Sequence, residues 1–277
     1  MINLCLWFLI FLFGSSIGSF LNVVIARLPH PDLSLLGFRS CCLSCRTPIA
    51  PYDLIPVLSW FILGGRCRKC AQPISFRYAF VEILMGLFAC VVVLQNGLSI
   101  TSLESFIFIS ILIAVTFIDL DTWLIPLPLP ILLCVSGLAF AFQNPTLFFE
   151  RLIGMIGGFL FFASFLVVST WILRSTGRLS LEETAMGWGD PFLIAGIGAH
   201  IGYAQLPLMI LLACLQGILI FGVCALFGQN IFEAEEGEWK PPKQALPMGP
   251  FLALAGIELT IAKPFIFVLS QEFARFL

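Results

Sequence analysis

The sequence predicts an all-α polytopic membrane protein of about eight transmembrane helices, with a small cysteine-bearing cytosolic module inserted after the first helix. Three observations carry that prediction. Of 277 residues, 60% are apolar and 11% are charged, with a mean hydropathy of +1.04; soluble domains run roughly 45–50% apolar and about 25% charged. The apolar residues gather into stretches close to the ~20 residues that a helix needs to cross a bilayer. Four of the ten cysteines form two C-x-x-C pairs in the most basic part of the chain. A formal net charge of −2 offers no basic face, and no nucleic-acid partner is expected.

Taken in order, the apolar stretches are 2–26, 78–97, 103–124, 126–143, 152–174, 191–203, 205–228 and 248–270. A segment in lipid must satisfy its own backbone hydrogen bonds, so each is expected as a helix. The first lacks the positive start and small-residue cleavage site of a signal peptide and is kept as a helix. The stretch 191–203 is short, and its border with the next is the least defined.

Basic residues orient the spans. Arg27, Arg39, Arg46, Arg66, Arg68, Lys69 and Arg77 make up half of the 14 Lys and Arg, so the stretch between the first two spans is expected in the cytosol. Counting onward puts the turn at 98–102 outside, 119–126 inside, 144–150 outside, 175–189 inside and 229–247 inside. Arg174, Arg178, Lys240 and Lys243 then fall on the cytosolic side, and Arg151 is the exception. The acidic run Glu233, Glu235, Glu236 and Glu238, followed by Pro241 and Pro242, reads as a solvated loop. The expected organisation is 1–29, the first helix; 30–77, the cytosolic module; and 78–277, the main membrane domain.

Cys5, Cys90, Cys134, Cys214 and Cys224 lie in apolar spans, where a thiol behaves as a small hydrophobe. Cys42, Cys45, Cys67 and Cys70 differ. They form CLSC and CRKC, separated by 21 residues, and each such turn can present two thiolates to one tetrahedral zinc ion. Disulfides are the alternative, but they rarely persist in the cytosol. Four thiolates leave no open coordination position, so the zinc is expected to be structural, clamping a loop too small to fold unaided. Cys41, beside Cys42, is an alternative ligand.

Ionisable groups inside spans are costly, and each is a functional candidate. Asp119 and Asp121 close the third span in FIDLDTWLIP, and Asp190 opens the sixth in MGWGDPF. The derived topology puts both sites at one level near the cytosolic face. Two carboxylates that share a site and a proton can hold one water between them, one acting as general base and the other polarising a peptide carbonyl. The plainer reading makes Asp190 a helix N-cap followed by proline, with Asp119 or Asp121 solvating a helix end. Intramembrane carboxylates also mark proton paths. Gly196-Ile197-Gly198 has a dinucleotide-loop look, but the third glycine is out of register and the segment lies in a span. His200 reads as a hydrogen-bonded core histidine.

These motifs together resemble the type IV prepilin peptidases, aspartic proteases of the G-x-G-D kind. The likeness runs through GSSIGSFLNVVIARLP (Gly14 to Pro29), the Cys42–Cys70 stretch with IPVLSW between the knuckles and ISFRYAFVE after them, FIDLDTWLIP, MGWGD and LPMGPFLALAG. The resemblance implies an aspartic endopeptidase of the bacterial inner membrane with Asp119 and Asp190 as its dyad and Asp121 as a non-catalytic neighbour. It also implies prepilin and pseudopilin substrates, cut after glycine on the cytosolic side, and methylation of the new N-terminus with S-adenosylmethionine. Gly18, Asn22, Arg27 and Glu82 are candidates for the methyl-transfer role or for helix packing, with packing favoured. Two positions depart from the family pattern: Leu127 stands where an Asp is usual, and Phe192 where a Lys is usual. Two rival classes use the same features, a proton-coupled transporter and a non-catalytic assembly factor of a pilus or secretion machine. A cleavage assay separates all three.

Overall fold

A computed structural model describes residues 3–30, 40–42, 44–177, 179–180, 184–227 and 247–276. Arg39, Arg178 and the expected loop 229–247, with its acidic run, Lys240 and Lys243, lie outside the described residues, apart from Pro247. Among the described residues the regular structure is helical, apart from two isolated bridges. The chain forms two compact units, Met1–Ser110 and Ile111–Leu277.

In the first unit, α1 (Leu4–Arg27) packs along α3 (Phe76–Asn96). Small residues allow the two backbones to approach: a Cβ on Gly14 would lie 2.5 Å from the Met85 carbonyl, and one on Gly18 would lie 2.8 Å from Glu82 Cα. Asn22 is buried, and its Nδ2 donates to the Tyr78 carbonyl at 3.0 Å. Between these helices lie the paired cysteine turns, a short 3-10 turn at Pro51–Leu54 and the five-residue α2 (Leu58–Ile62). The helix α4 (Ile100–Thr122) runs through the boundary between the units.

The second unit contains α5 (Pro128–Ala141), α6 (Pro145–Ser175), α7 (Gly189–Ile201), α8 (Leu206–Phe227) and α9 (Gly249–Phe276). Here α7 is the hub, packed against α5, α6 and α9, and α8 packs against α9. Every residue of α7 from Leu193 to Ile201 is buried. Gly198 and Gly154 of α6 face one another so closely that a Cβ on either would meet the other's carbonyl oxygen at about 2.5 Å. The glycines of the Gly196–Gly198 stretch therefore serve helix packing, with Gly196 backed by Leu133.

All eight predicted segments are helical. Among the described residues five are long and apolar enough to cross a membrane; α5, α7 and the apolar Gly249–Ala262 part of α9 are shorter. The region 144–150, expected outside, holds the first turns of α6. Asn144 caps that helix, accepting from Leu147 N–H at 3.3 Å, and Pro145 starts it. The exceptional Arg151 is a buried residue within α6, its Nη1 donating to the Gly137 carbonyl at 2.8 Å. His200 is buried too, with Nε2 3.1 Å from Ser136 Oγ.

Candidate active site and metal centre

The carboxylates at Asp119 and Asp190 both belong to the second unit. Asp119 lies on the buried face of α4 beside Val115 and Ile118, at 4% exposure. Two residues along a helix turn it by about 200°, and Asp121 accordingly emerges on the exposed side. The helix ends immediately afterwards, where Trp123 adopts φ +56° and its N–H donates to the Asp119 carbonyl at 2.9 Å. Asp190 is 7% exposed and is the second residue of α7. The N-cap is Trp188, which makes no side-chain cap, so Asp190 sits inside the first turn and the plain capping reading fails.

Three remote segments converge here. Gly249, at the start of α9, donates its N–H to Asp119 Oδ2 at 3.1 Å. A Cβ on Gly249 would lie 2.5 Å from that oxygen, and one on Gly189 would lie 2.7 Å from Ile125 Cβ. Ile125 backs both glycines, with Cδ1 3.1 Å from a Cβ on Gly249. A side chain at Gly189 would force Ile125 to shift, and one at Gly249 would displace the tip of the Asp119 side chain; the two carboxylates lie within electrostatic reach of one another. The arrangement can hold two acid groups away from bulk water, one of them fixed by a backbone donor. Gly249 had no assigned role in the sequence; its signal was membership of the LPMGPFLALAG motif that carries the resemblance. Of the two departures, Leu127 is exposed at the N-cap of α5, and the Phe192 ring stacks against Phe159 of α6 at 5.0 Å between centroids.

The four cysteines come together in the first unit. Their sulfurs lie within 4.8 Å of one another, with Cys42 and Cys70 at 3.7 Å. A Zn–S bond of about 2.3 Å implies tetrahedral edges of about 3.8 Å, so the donor set fits zinc. Each turn is closed locally: Cys42 N–H bonds to Thr47 and Arg46 N–H to Cys42, as Cys67 N–H bonds to Gln72 and Ala71 N–H to Cys67. Arg46 and Ala71 take left-handed φ values of +54° and +57°, and isolated bridges pair Cys41 with Pro48 and Arg66 with Pro73. Cys41 is exposed and stands outside the cluster.

Hydrogen bonds from Thr47, through both side chain and backbone, draw the Cys45 thiol down to about 6. Those from the Cys70 and Lys69 N–H groups lower Cys67. At Cys70 the Gln72 N–H also lowers the thiol, but desolvation and the neighbouring thiols outweigh it and push it up to about 12. Four thiolates so close need a cation among them.

The residues considered for methyl transfer are engaged elsewhere. Gly18 and Asn22 hold α1 against α3, and Glu82 Oε2 accepts from Val57 N–H at 2.7 Å, tying the cysteine module to α3. Arg27 lies in the last turn of α1. These contacts give the four residues packing roles, and no step through S-adenosylmethionine is derived from them.

Comparison with known proteins matches the two units in turn. Residues 12–96 match the bacterial peptidase A24 N-terminal domain, and residues 106–222 match the type IV leader peptidase family. A prepilin leader peptidase/N-methyltransferase of Myxococcus xanthus strain DK1622 is 33% identical across 94% of this chain and 91% of its own length. The chain belongs to the type IV leader peptidase family. Relatives of the same description from Aeromonas hydrophila and Neisseria gonorrhoeae are 35% and 33% identical, covering 90% and 82% of this chain and 88% and 90% of theirs. No solved structure matches. Membership and the long apolar helices together make this a multi-pass membrane protein.

Proposed function

We propose that this family member is an aspartic endopeptidase that removes the leader of type IV prepilins and pseudopilins after glycine, then methylates the new N-terminal residue. The observation that carries the reading is the pair of buried carboxylates, Asp119 and Asp190, drawn together from α4 and α7 in a chain of this family. The dyad binds one water. The ionised carboxylate takes a proton from it as the oxygen attacks the scissile carbonyl, while the protonated partner polarises that carbonyl. Collapse of the tetrahedral intermediate breaks the C–N bond, and the amine leaves with a proton from the dyad. The Gly249 N–H keeps Asp119 aimed throughout.

Zinc at Cys42, Cys45, Cys67 and Cys70 would have a structural role, clamping the module that receives the cytosolic end of the substrate. Family membership supports the bacterial inner membrane as its place, and the distribution of basic residues supports a cytosol-facing site. Methyl transfer with S-adenosylmethionine rests on the relatives' shared description.

Cleavage of a prepilin by the purified protein in detergent tests the reading, comparing wild type with Asp119→Asn and Asp190→Asn. Cleavage by wild type alone supports the dyad, and equal cleavage by all three proteins refutes it. Gradient-driven flux without cleavage points to a transporter. Retained pilus assembly by Asp119→Asn cells points to an assembly factor.

A further inference from the structure

Among the described residues the cysteine module carries an exposed apolar face. Leu58, Phe61 and Ile62 occupy positions i, i+3 and i+4 of α2, one side of the helix, and all three are exposed, Phe61 at 57% and Ile62 at 75%. Leu54 and Ile55, just before α2, are exposed as well. The inward work is done by Trp60, whose ring covers Gly65 and whose Nε1 donates to the Ile74 carbonyl at 3.0 Å. A contiguous apolar patch of this kind marks a contact surface.

The neighbouring rings indicate what covers it. Phe61 meets Trp60 at 5.2 Å between centroids, Trp60 meets Phe76 at 5.3 Å, and Phe76 meets Phe80 at 6.3 Å. Phe76 and Phe80 are exposed on α3, a helix of membrane-spanning length. The apolar face of α2 therefore continues into an exposed aromatic flank of α3. Arg66, Arg68, Lys69 and Arg77 lie in the same stretch of chain. Aromatic and aliphatic side chains beside Lys and Arg are the composition of elements that lie in the membrane interface and contact anionic headgroups.

We propose that α2 is an interfacial anchor. Leu54, Ile55, Leu58, Phe61 and Ile62 enter the boundary between headgroups and acyl chains of the same bilayer that α3 crosses. The metal-binding module then rests on the membrane surface instead of standing in water. Neither the identity of the metal nor the cleavage chemistry enters this argument.

The test uses the full chain in vesicles of phosphatidylethanolamine and phosphatidylglycerol, carrying the photocrosslinker p-benzoylphenylalanine in place of Ile62, of Phe61 or, as a control, of exposed Gln72 on the second cysteine turn. Metal content checks that each variant is folded, and two positions on the face guard against one of them being disruptive. Lipid adducts at positions 61 and 62 are expected severalfold above those at position 72. Equal lipid yields at all three positions would overturn the proposal. So would adducts to the chain's own peptides, which indicate an internal cover, or adducts formed only with an added prepilin, which indicate a substrate-docking face.

Discussion

In the cysteine module the four sulfurs come from two turns, and each turn is closed by its own backbone hydrogen bonds. Around Asp119 the groups that meet come from positions 119, 125, 189 and 249, on helices or loops remote in sequence. The first site is a property of short segments and needs a cation to bring them together. The second is a property of helix packing and needs glycines where backbones touch. Damage should therefore spread differently from each.

The largest effect is expected at the proposed dyad. General acid–base groups contribute about 10²–10⁴-fold, so Asp119→Asn or Asp190→Asn should lower kcat for prepilin cleavage by that order. Helical content and the metal in the first unit should stay unchanged. Loss of metal along with activity would break the contrast between the two sites.

Next comes Cys67→Ser. Structural zinc contributes about 10–16 kcal/mol to folding in small metal peptides, so this variant should lose the metal and become open to limited proteolysis between residues 40 and 75. Protons compete with metal for thiolates, so the metal should be held at neutral pH and released as pH falls. A colorimetric chelator assay across pH checks the direction.

A smaller effect is expected from Gly249→Ala. Overpacking typically costs about 1–3 kcal/mol; if that falls on the transition state, cleavage drops by roughly five- to hundredfold. Comparing kcat with metal content sharpens the contrast, since only kcat should move.

The smallest is Asp53→Asn. The Arg68 guanidinium, bonded to Asp53 through Nη2 at 2.6 Å and Nε at 2.9 Å, holds that carboxyl below its ordinary range. A lowered carboxylate stabilises above its unfolded pKa, and that contribution is lost as pH falls through the folded value. The difference in Tm between wild type and Asp53→Asn should be slight at neutral pH, shrink in acid, and shrink again at about 1 M salt.

Much of this was legible in the residues. The predicted span 78–97 is Phe76–Asn96, and 205–228 is Leu206–Phe227, because runs of apolar side chains leave a backbone in lipid no option but a helix. The C-x-x-C pairs were legible for the same local reason: spacing alone puts two sulfurs on one turn. That a helix begins within 144–150, the region between two spans, was not legible from its charges, Glu150 and Arg151. The Asn144-Pro145 cap was the better signal.

By itself the sequence determined the helices, the paired cysteine turns and the placing of Asp119 and Asp121 at the end of one span, since each depends on neighbours a few residues apart. Only the tertiary structure decided which of those two aspartates is buried, that Asp190 lies inside a helix and not at its cap, that Cys41 stands outside the cluster, and that Gly249 supplies the donor to Asp119. Those outcomes depend on which helix faces meet. Close approach of the Gly249 backbone to the Asp119 side chain joins segments as far apart as positions 119 and 249, and no local pattern encodes it.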